Sequence, residues 1–150
     1  MTRVTDSASI LRDAGLKVTA PRTAVLHALD TMAHVTADQI FAAVLPALPG
    51  TSLQAVYGVL GALTDAQIIR RIEPAGSPAR YERRVGDNHH HLVCTGCGAV
   101  ADVDCAVGHA PCLTPSNTEG FVTSSAEITF WGLCTNCAAS SHDQPKENRV

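Results

Sequence analysis

Two Cys-x-x-C pairs, Cys94/Cys97 and Cys134/Cys137, restrict what this chain can fold into more than any other feature of it. Each pair can span two corners of a tetrahedron with S–Zn bonds of about 2.3 Å, so the quartet reads as one structural zinc site. Residues 98 to 133 separate the pairs, so the ion would staple a C-terminal segment back onto an earlier hairpin. A fourfold thiolate shell leaves no open coordination position, which argues against catalytic zinc. The bland alternative is a set of reduced buried thiols or two disulfides.

The stretch Asp87 to Cys105, DNHHHLVCTGCGAVADVDC, offers a second and chemically different site. With Thr95 and Gly96 as a tight turn, Cys94 faces Cys97, and antiparallel pairing outward places His89 opposite Asp102. Side chains alternate along a strand, so His89 and His91 share a face and His90 points away. Opposed residues about 4.5 to 5.5 Å apart can reach one ion. Two imidazoles and a carboxylate suit iron, manganese, nickel or zinc.

At 150 residues the chain can hold one compact domain or two small ones. Apolar residues make up 45% but aromatics only 4%, so two small cores would gain from metal or dimerisation. The start MTRVTDSASILRDAGL lacks the apolar block of a signal peptide, and no run approaches the roughly 20 apolar residues of a membrane span. The expectation is a soluble cytoplasmic protein with no membrane partner. Cysteines in that compartment read as metal ligands or redox thiols before structural disulfides. Met1 to Gly86 carries nine Lys/Arg against seven Asp/Glu, while Asp87 to Val150 carries two against seven. The N-terminal part is therefore the better candidate for an anionic partner.

Helical spacing over residues 4 to 14 ends at Gly15. Thr19 can cap a second helix from Ala20 to about Met32, with Ala24, Val25, Ala28 and Leu29 inward. Thr36 and Gln39 form a capping box for a third helix, with Ile40, Phe41, Val44 and Leu45 as its apolar face. Thr51 and Gln54 repeat that box for a fourth, whose buried stripe is Leu53, Val56, Leu60 and Leu63. Its outer face, Gln54, Tyr57, Gly58 and Gly61, is uncharged, and two interior glycines destabilise a helix by about 1 kcal/mol each. A recognition helix that must approach a major groove closely explains them; a half-buried core Tyr57 beside two incidental glycines is the competing reading. Strands at Ile68 to Ile72 and Arg80 to Arg83 follow. Helices and then a basic ribbon make the order of a winged helix-turn-helix, with Arg70, Arg71, Arg80, Arg83 and Arg84 along the wing facing phosphates. A solvated charged face is the alternative. After the hairpin, residues 121 to 133 read as one long strand.

GLKVTAPR (15 to 22), AHVTADQI (33 to 40), TSLQAVYGVL, ARYE (79 to 82), DNHHHLVCTGCG and WGLCTNC (131 to 137) together resemble the ferric uptake regulator family over nearly the whole chain. The run GDNHHHLVCTGCGAVADVDCAV is most similar to its peroxide-sensing actinobacterial branch, which represses catalase-peroxidase genes. The resemblance implies an α+β fold: a winged-helix DNA-binding domain over residues 1–84, a hinge at 85–88, a metal-binding dimerisation domain at 89–140 and a flexible tail at 141–150. It implies a homodimer with structural zinc on the four cysteines. It also implies a regulatory ion, Fe2+ or Mn2+ with Zn2+ or Ni2+ as alternatives, held by His34, Glu82, His89, His91 and Asp102. His34 and Glu82 enter this set through the resemblance alone.

The implied partner is a palindromic, A·T-rich double-stranded operator, met by Lys17, Arg22, Ser52, Gln54, Tyr57, Arg70, Arg71 and Arg80. In that reading peroxide reacts at bound ferrous iron and a ligand histidine is oxidised, with His34 and His89 or His91 the candidates, and repression of a catalase-peroxidase gene and of the regulator's own gene ends. A plain metal-responsive repressor is the runner-up. Cys105 and Cys112 read as packing thiols or a secondary redox pair. Ala126 stands where a third family metal site has a histidine, and Gln67 replaces a usual glycine. His27, His109 and His142 are not expected to be ligands. A zinc deaminase would need a glutamate beside a histidine ligand and a proline before Cys-x-x-C, and neither is here. A metal buffer would need neither the neutral helix face nor the arginine wing.

Overall fold

Local caps lay out the first part of the chain. The structure, a computed structural model, describes residues 6–83, 89–104, 117–123 and 127–141. It divides into two compact units, Met1–Gly86 and Asp87–Val150. Cys105, Cys112, Arg84, His109, His142, Ala126, the 85–88 hinge and most of the 141–150 tail lie outside the described residues.

In the first unit, α1 (Ser7–Asp13) is capped by Asp6, which accepts from the Ala8 amide, and is shorter than the 4 to 14 expected. It ends where Gly15, at φ 75°, donates to the Arg12 carbonyl and Leu16 to that of Leu11. That is the paired closure of a left-handed helix stop. Thr19 caps α2 (Ala20–Thr31), which carries Pro21 in its first turn and buries Val25, Leu26, Ala28 and Leu29. After a two-residue strand, β1 (Val35–Thr36), the expected Thr36/Gln39 box opens α3 (Ala37–Val44). The second box does not form. Ser52, not Thr51, caps α4 (Leu53–Asp65), its hydroxyl accepting from the Ala55 amide at 3.1 Å. Two adjacent hydroxyls were available, and the cap at Ser52 starts the helix at Leu53 with Val56, Leu60 and Leu63 buried.

These helices enclose one apolar core that includes Leu11, Leu26, Ile40, Leu60, Leu63 and Tyr81. The ribbon strands are β2 (Arg70–Ile72) and β3 (Arg80–Glu82), each shorter than expected. They form an antiparallel sheet in the order β1-β3-β2.

In the second unit β4 (His89–Cys94) is the central strand, with β5 (Val100–Asp104) antiparallel on one side and β6 (Thr129–Gly132) parallel on the other. The long strand expected over 121 to 133 is only β6. Its partner offers it just His91 to Cys94, and Phe121 to Thr123 form no strand. A short helix, α5 (Thr135–Ser141), follows. Among the described residues no helix is long and apolar enough to cross a membrane.

Candidate metal centres and nucleic-acid interface

The sulfur groups come from three places in the second unit: the end of β4, the turn after it, and the step from β6 into α5. One Sγ from each of Cys94, Cys97, Cys134 and Cys137 lies within 4.8 Å of the others. Cys97 and Cys134 Sγ are 3.8 Å apart. Zinc–sulfur bonds of about 2.3 Å require a tetrahedron edge of about 3.8 Å, so the donors fit a zinc ion in number, chemistry and spacing.

The backbone prepares the cage. Cys94 Sγ accepts from the Cys134 amide at 3.3 Å and from the Cys97 amide at 3.5 Å. These donors, Cys134 first, draw its pKa down to about 6 against the opposing effect of burial. Cys137, facing the thiols of Cys134, Cys94 and Cys97, is pushed up to about 12. The backbone donors thus favour the thiolate at Cys94, while the neighbouring sulfurs disfavour it at Cys137, so a cation that gathers all four must displace protons. A Cβ on Gly96 would stand 3.0 Å from Cys137 Sγ, which is why the turn is glycine there.

This turn also corrects the expected hairpin. Cys94 does not face Cys97: its amide donates to the Ala99 carbonyl at 2.9 Å, and Gly98, at φ 76°, donates back to the Cys94 carbonyl at 2.9 Å. The loop is four residues long because it wraps sulfur ligands, so the ladder shifts by two. Asp102 stands opposite His91, and His89 opposite Asp104. A shift of two preserves the face of every side chain. Asp102 Oδ1 thus lies 3.4 Å from His91 Nε2 and 3.7 Å from His89 Nε2, with the two rings edge to face at 4.9 Å. Both imidazoles are buried, as is His90 on β4. Asp104 was not singled out from sequence, although the alternation Asp102-Val103-Asp104 marks it for the same face.

His34 and Glu82 meet in the first unit. His34 Nε2 lies 2.8 Å from Glu82 Oε2, and Glu82 is 1% exposed. His34 holds φ 54° just before β1, and Glu82 ends β3. A buried carboxylate against an imidazole is a donor pair able to take a divalent cation.

The expected nucleic-acid residues fall into different roles. Gln54, Tyr57, Gly58 and Gly61 are all exposed along one face of α4, Tyr57 by 51%, and a Cβ at either glycine would meet nothing within 4 Å. Between that face and the wing lies a cleft of about 520 Å³, bordered by Tyr57, Gly61, Asp65, Arg71 and Glu73. Lys17 is exposed, and its carbonyl accepts from Arg22 Nη1 at 2.8 Å. Arg71 is exposed and ion-paired with Glu73; Arg70 is half-buried. Arg83 leans on Asp30 at 3.5 Å. Two residues are committed inside the unit. Ser52 spends its hydroxyl as the α4 cap, and half-buried Arg80 donates to the His34 carbonyl.

The profile of the Ferric uptake regulator family matches residues 13–130. The transcriptional regulator FurA of Mycobacterium tuberculosis is 56% identical over 140 residues, covering 93% of this chain and 95% of that one. The peroxide-responsive repressor PerR of Staphylococcus aureus is 26% identical over 133 residues, 88% of this chain and 89% of that one. The crystal structure of the Vibrio cholerae ferric uptake regulator superposes with a TM-score of 0.65 at 26% identity, covering 86% of this chain and all of that one. With its helix-and-ribbon unit followed by a cysteine-caged sheet, this chain belongs to the ferric uptake regulator family, whose members are metal-responsive transcriptional regulators and not enzymes.

Proposed function

We propose that the chain is a homodimeric, cytoplasmic repressor that senses hydrogen peroxide through its regulatory metal site. Residues 1–84 are the DNA-binding domain, 85–88 the hinge, 89–140 the dimerisation domain and 141–150 a flexible tail. The regulatory ion draws on His34, Glu82, His89, His91 and Asp102. The observation that carries this reading is the carboxylate of Asp102 set within 3.7 Å of two buried imidazole nitrogens, a hard donor set beside an all-sulfur one. Zinc belongs to the cysteines, and Fe2+ or Mn2+, with Zn2+ or Ni2+ as alternatives, to the second set. Dimerisation is supported by the exposed Phe121, Val122, Phe130, Trp131 and Leu133 of the second unit.

Gln54 and Tyr57 read base edges of a palindromic, A·T-rich operator. Lys17, Arg22, Arg70 and Arg71 lie against its phosphates, and the Ser52 amide end of α4 completes that face. Ferrous iron, when bound, supplies the reduction of hydrogen peroxide that oxidises a ligand imidazole, with His34, His89 and His91 the targets. An oxidised imidazole is a poorer donor, so the ligand set loosens and operator affinity falls. A catalase-peroxidase gene and the regulator's own gene are the targets this reading implies. A plain metal-responsive repressor has equal support from the same ligands, which need no oxidation step to sense metal occupancy, and FurA at 56% identity carries no peroxide in its name.

One experiment separates the two. The zinc-loaded chain is charged with Fe2+ or Mn2+, treated with peroxide, and followed by peptide mass spectrometry and operator binding. Oxygen on His34, His89 or His91 with iron alone, together with operator release, is the expected result. Release that follows metal removal while every histidine stays unmodified leaves the plain metal sensor.

A further inference from the structure

His34 holds its left-handed backbone, φ 54°, without being glycine. For a residue with a Cβ that conformation is unfavourable by about 1 to 2 kcal/mol, so something must hold it. Two side chains from one face of β3 do. Arg80 Nη1 donates to the His34 carbonyl at 3.0 Å, across 46 positions of sequence, and Glu82, two residues further along the strand, meets the imidazole Nε2 at 2.8 Å. The ladder between them is in register, with Thr36 opposite Arg80 and Val35 opposite Tyr81. The same guanidinium continues outward, Nε donating to Ser77 Oγ at 3.4 Å. Ser77 closes the turn of the wing, its amide donating to the Pro74 carbonyl at 3.0 Å.

We propose that Arg80 is a positioning residue for the metal switch and not a phosphate contact: it locks His34 in the turn that aims its imidazole at Glu82, and ties that turn to the wing through Ser77. This rests on His34 being a regulatory ligand. A guanidinium suits the task because its planar fork can bond a carbonyl and a hydroxyl at once, which a lysine ammonium on a flexible stem does poorly. The wing turn is thereby linked to the seating of His34. An ion that fixes the imidazole also fixes the end of the ribbon that carries Arg71.

The test uses the full zinc-loaded chain with Mn2+ as a redox-inert probe. Arg80→Gln, Arg80→Lys and His34→Ala are compared for Mn2+ affinity, for the salt dependence of operator binding at saturating Mn2+, and for amide exchange at residues 34–36 without Mn2+. Arg80→Gln is expected to weaken Mn2+ binding about tenfold, at the low end for a group that orients a ligand. Exchange at 34–36 should quicken and the salt slope should stay as in the parent. Unchanged Mn2+ affinity with a salt slope lower by about one would make Arg80 a phosphate contact and overturn the proposal. Should Arg80→Gln fail to fold, Arg80→Lys decides: Mn2+ binding weakened at least about threefold is expected, and parental affinity in the folded lysine variant counts against it. If His34→Ala leaves Mn2+ affinity unchanged, the functional reading itself falls and this inference with it. If only His34→Ala weakens it, the reading stands and the role of Arg80 is wrong.

Discussion

Gln67 and His34 share a backbone region and differ in what holds them there. Gln67, at φ 58° and exposed, sits just past α4, where its amide donates to the Thr64 carbonyl and that of Ile68 to the Leu63 carbonyl. The helix stop is the one Gly15 makes after α1, but here with a side chain that gains nothing from the conformation. Gln67→Gly is therefore expected to stabilise the chain by about 1 kcal/mol, read as a higher denaturant midpoint at unchanged slope. A lower midpoint would mean that the glutamine side chain makes a contact worth more than the strain. Only the resemblance to the family, which usually has glycine there, marks position 67 as unusual, whereas nothing local marks His34. Its left-handed turn is imposed by Arg80 and Glu82, more than forty residues away, and such long-range causes are invisible to spacing. The same holds for Arg80, which composition assigns to a basic wing and packing assigns inward.

Elements with a local cause were the legible ones. Thr36 and Gln39 make their box as written, and the apolar stripes of α2 and α4 point inward as their periodicity requires, whereas on α3 Ile40 and Val44 are buried but Leu45, expected on the same face, caps the helix end and is exposed. Where two local solutions competed, as between Thr51 and Ser52, spacing could not choose. The hairpin failed for a chemical reason: sulfur ligation sets a four-residue turn where hairpin rules favour two, yet the period of two kept His89, His91 and Asp102 on one face. β1 was too short to show, and α5, TNCAASS, has no apolar repeat to announce it. The uncharged face of α4 is the element whose purpose can be tested most directly. Because a Cβ at Gly58 or Gly61 meets open space, neither glycine serves internal packing. Gly58→Ala and Gly61→Ala should each stabilise the fold by up to about 1 kcal/mol while weakening operator binding, measured by denaturation and by titration with operator DNA. Alanine variants that are more stable and bind operator as tightly as the parent would remove α4's glycines from the interface.

At the scale of the whole molecule, the two units are built on different physics. The apolar core cluster lies entirely in the first, from Leu11 to Tyr81, whereas Val93 and Cys94 are the buried apolar residues described in the second. Among the described residues of the second unit, the three-stranded sheet leaves large apolar side chains exposed, Trp131 and Phe130 among them, and buries little apolar surface to set against chain entropy. Zinc on the cysteines would close the segment from 98 to 133 and fix β6 and α5 to the β4 turn, so its binding energy becomes folding energy for that unit alone. Removing it with a strong chelator, or replacing the exposed ligand by Cys97→Ser, should therefore unfold the second unit and leave the first with its own melting transition. Paired binding domains owe much of their operator affinity to being linked. The expected readout is loss of the dimer by sedimentation, a retained helical signal from α1 to α4, and operator affinity lower by about 100-fold. A zinc-free chain that remains dimeric and binds operator as before would show that the cage is incidental to the assembly. A chain that loses both transitions together would show that the first unit depends on the second, against what its own core predicts.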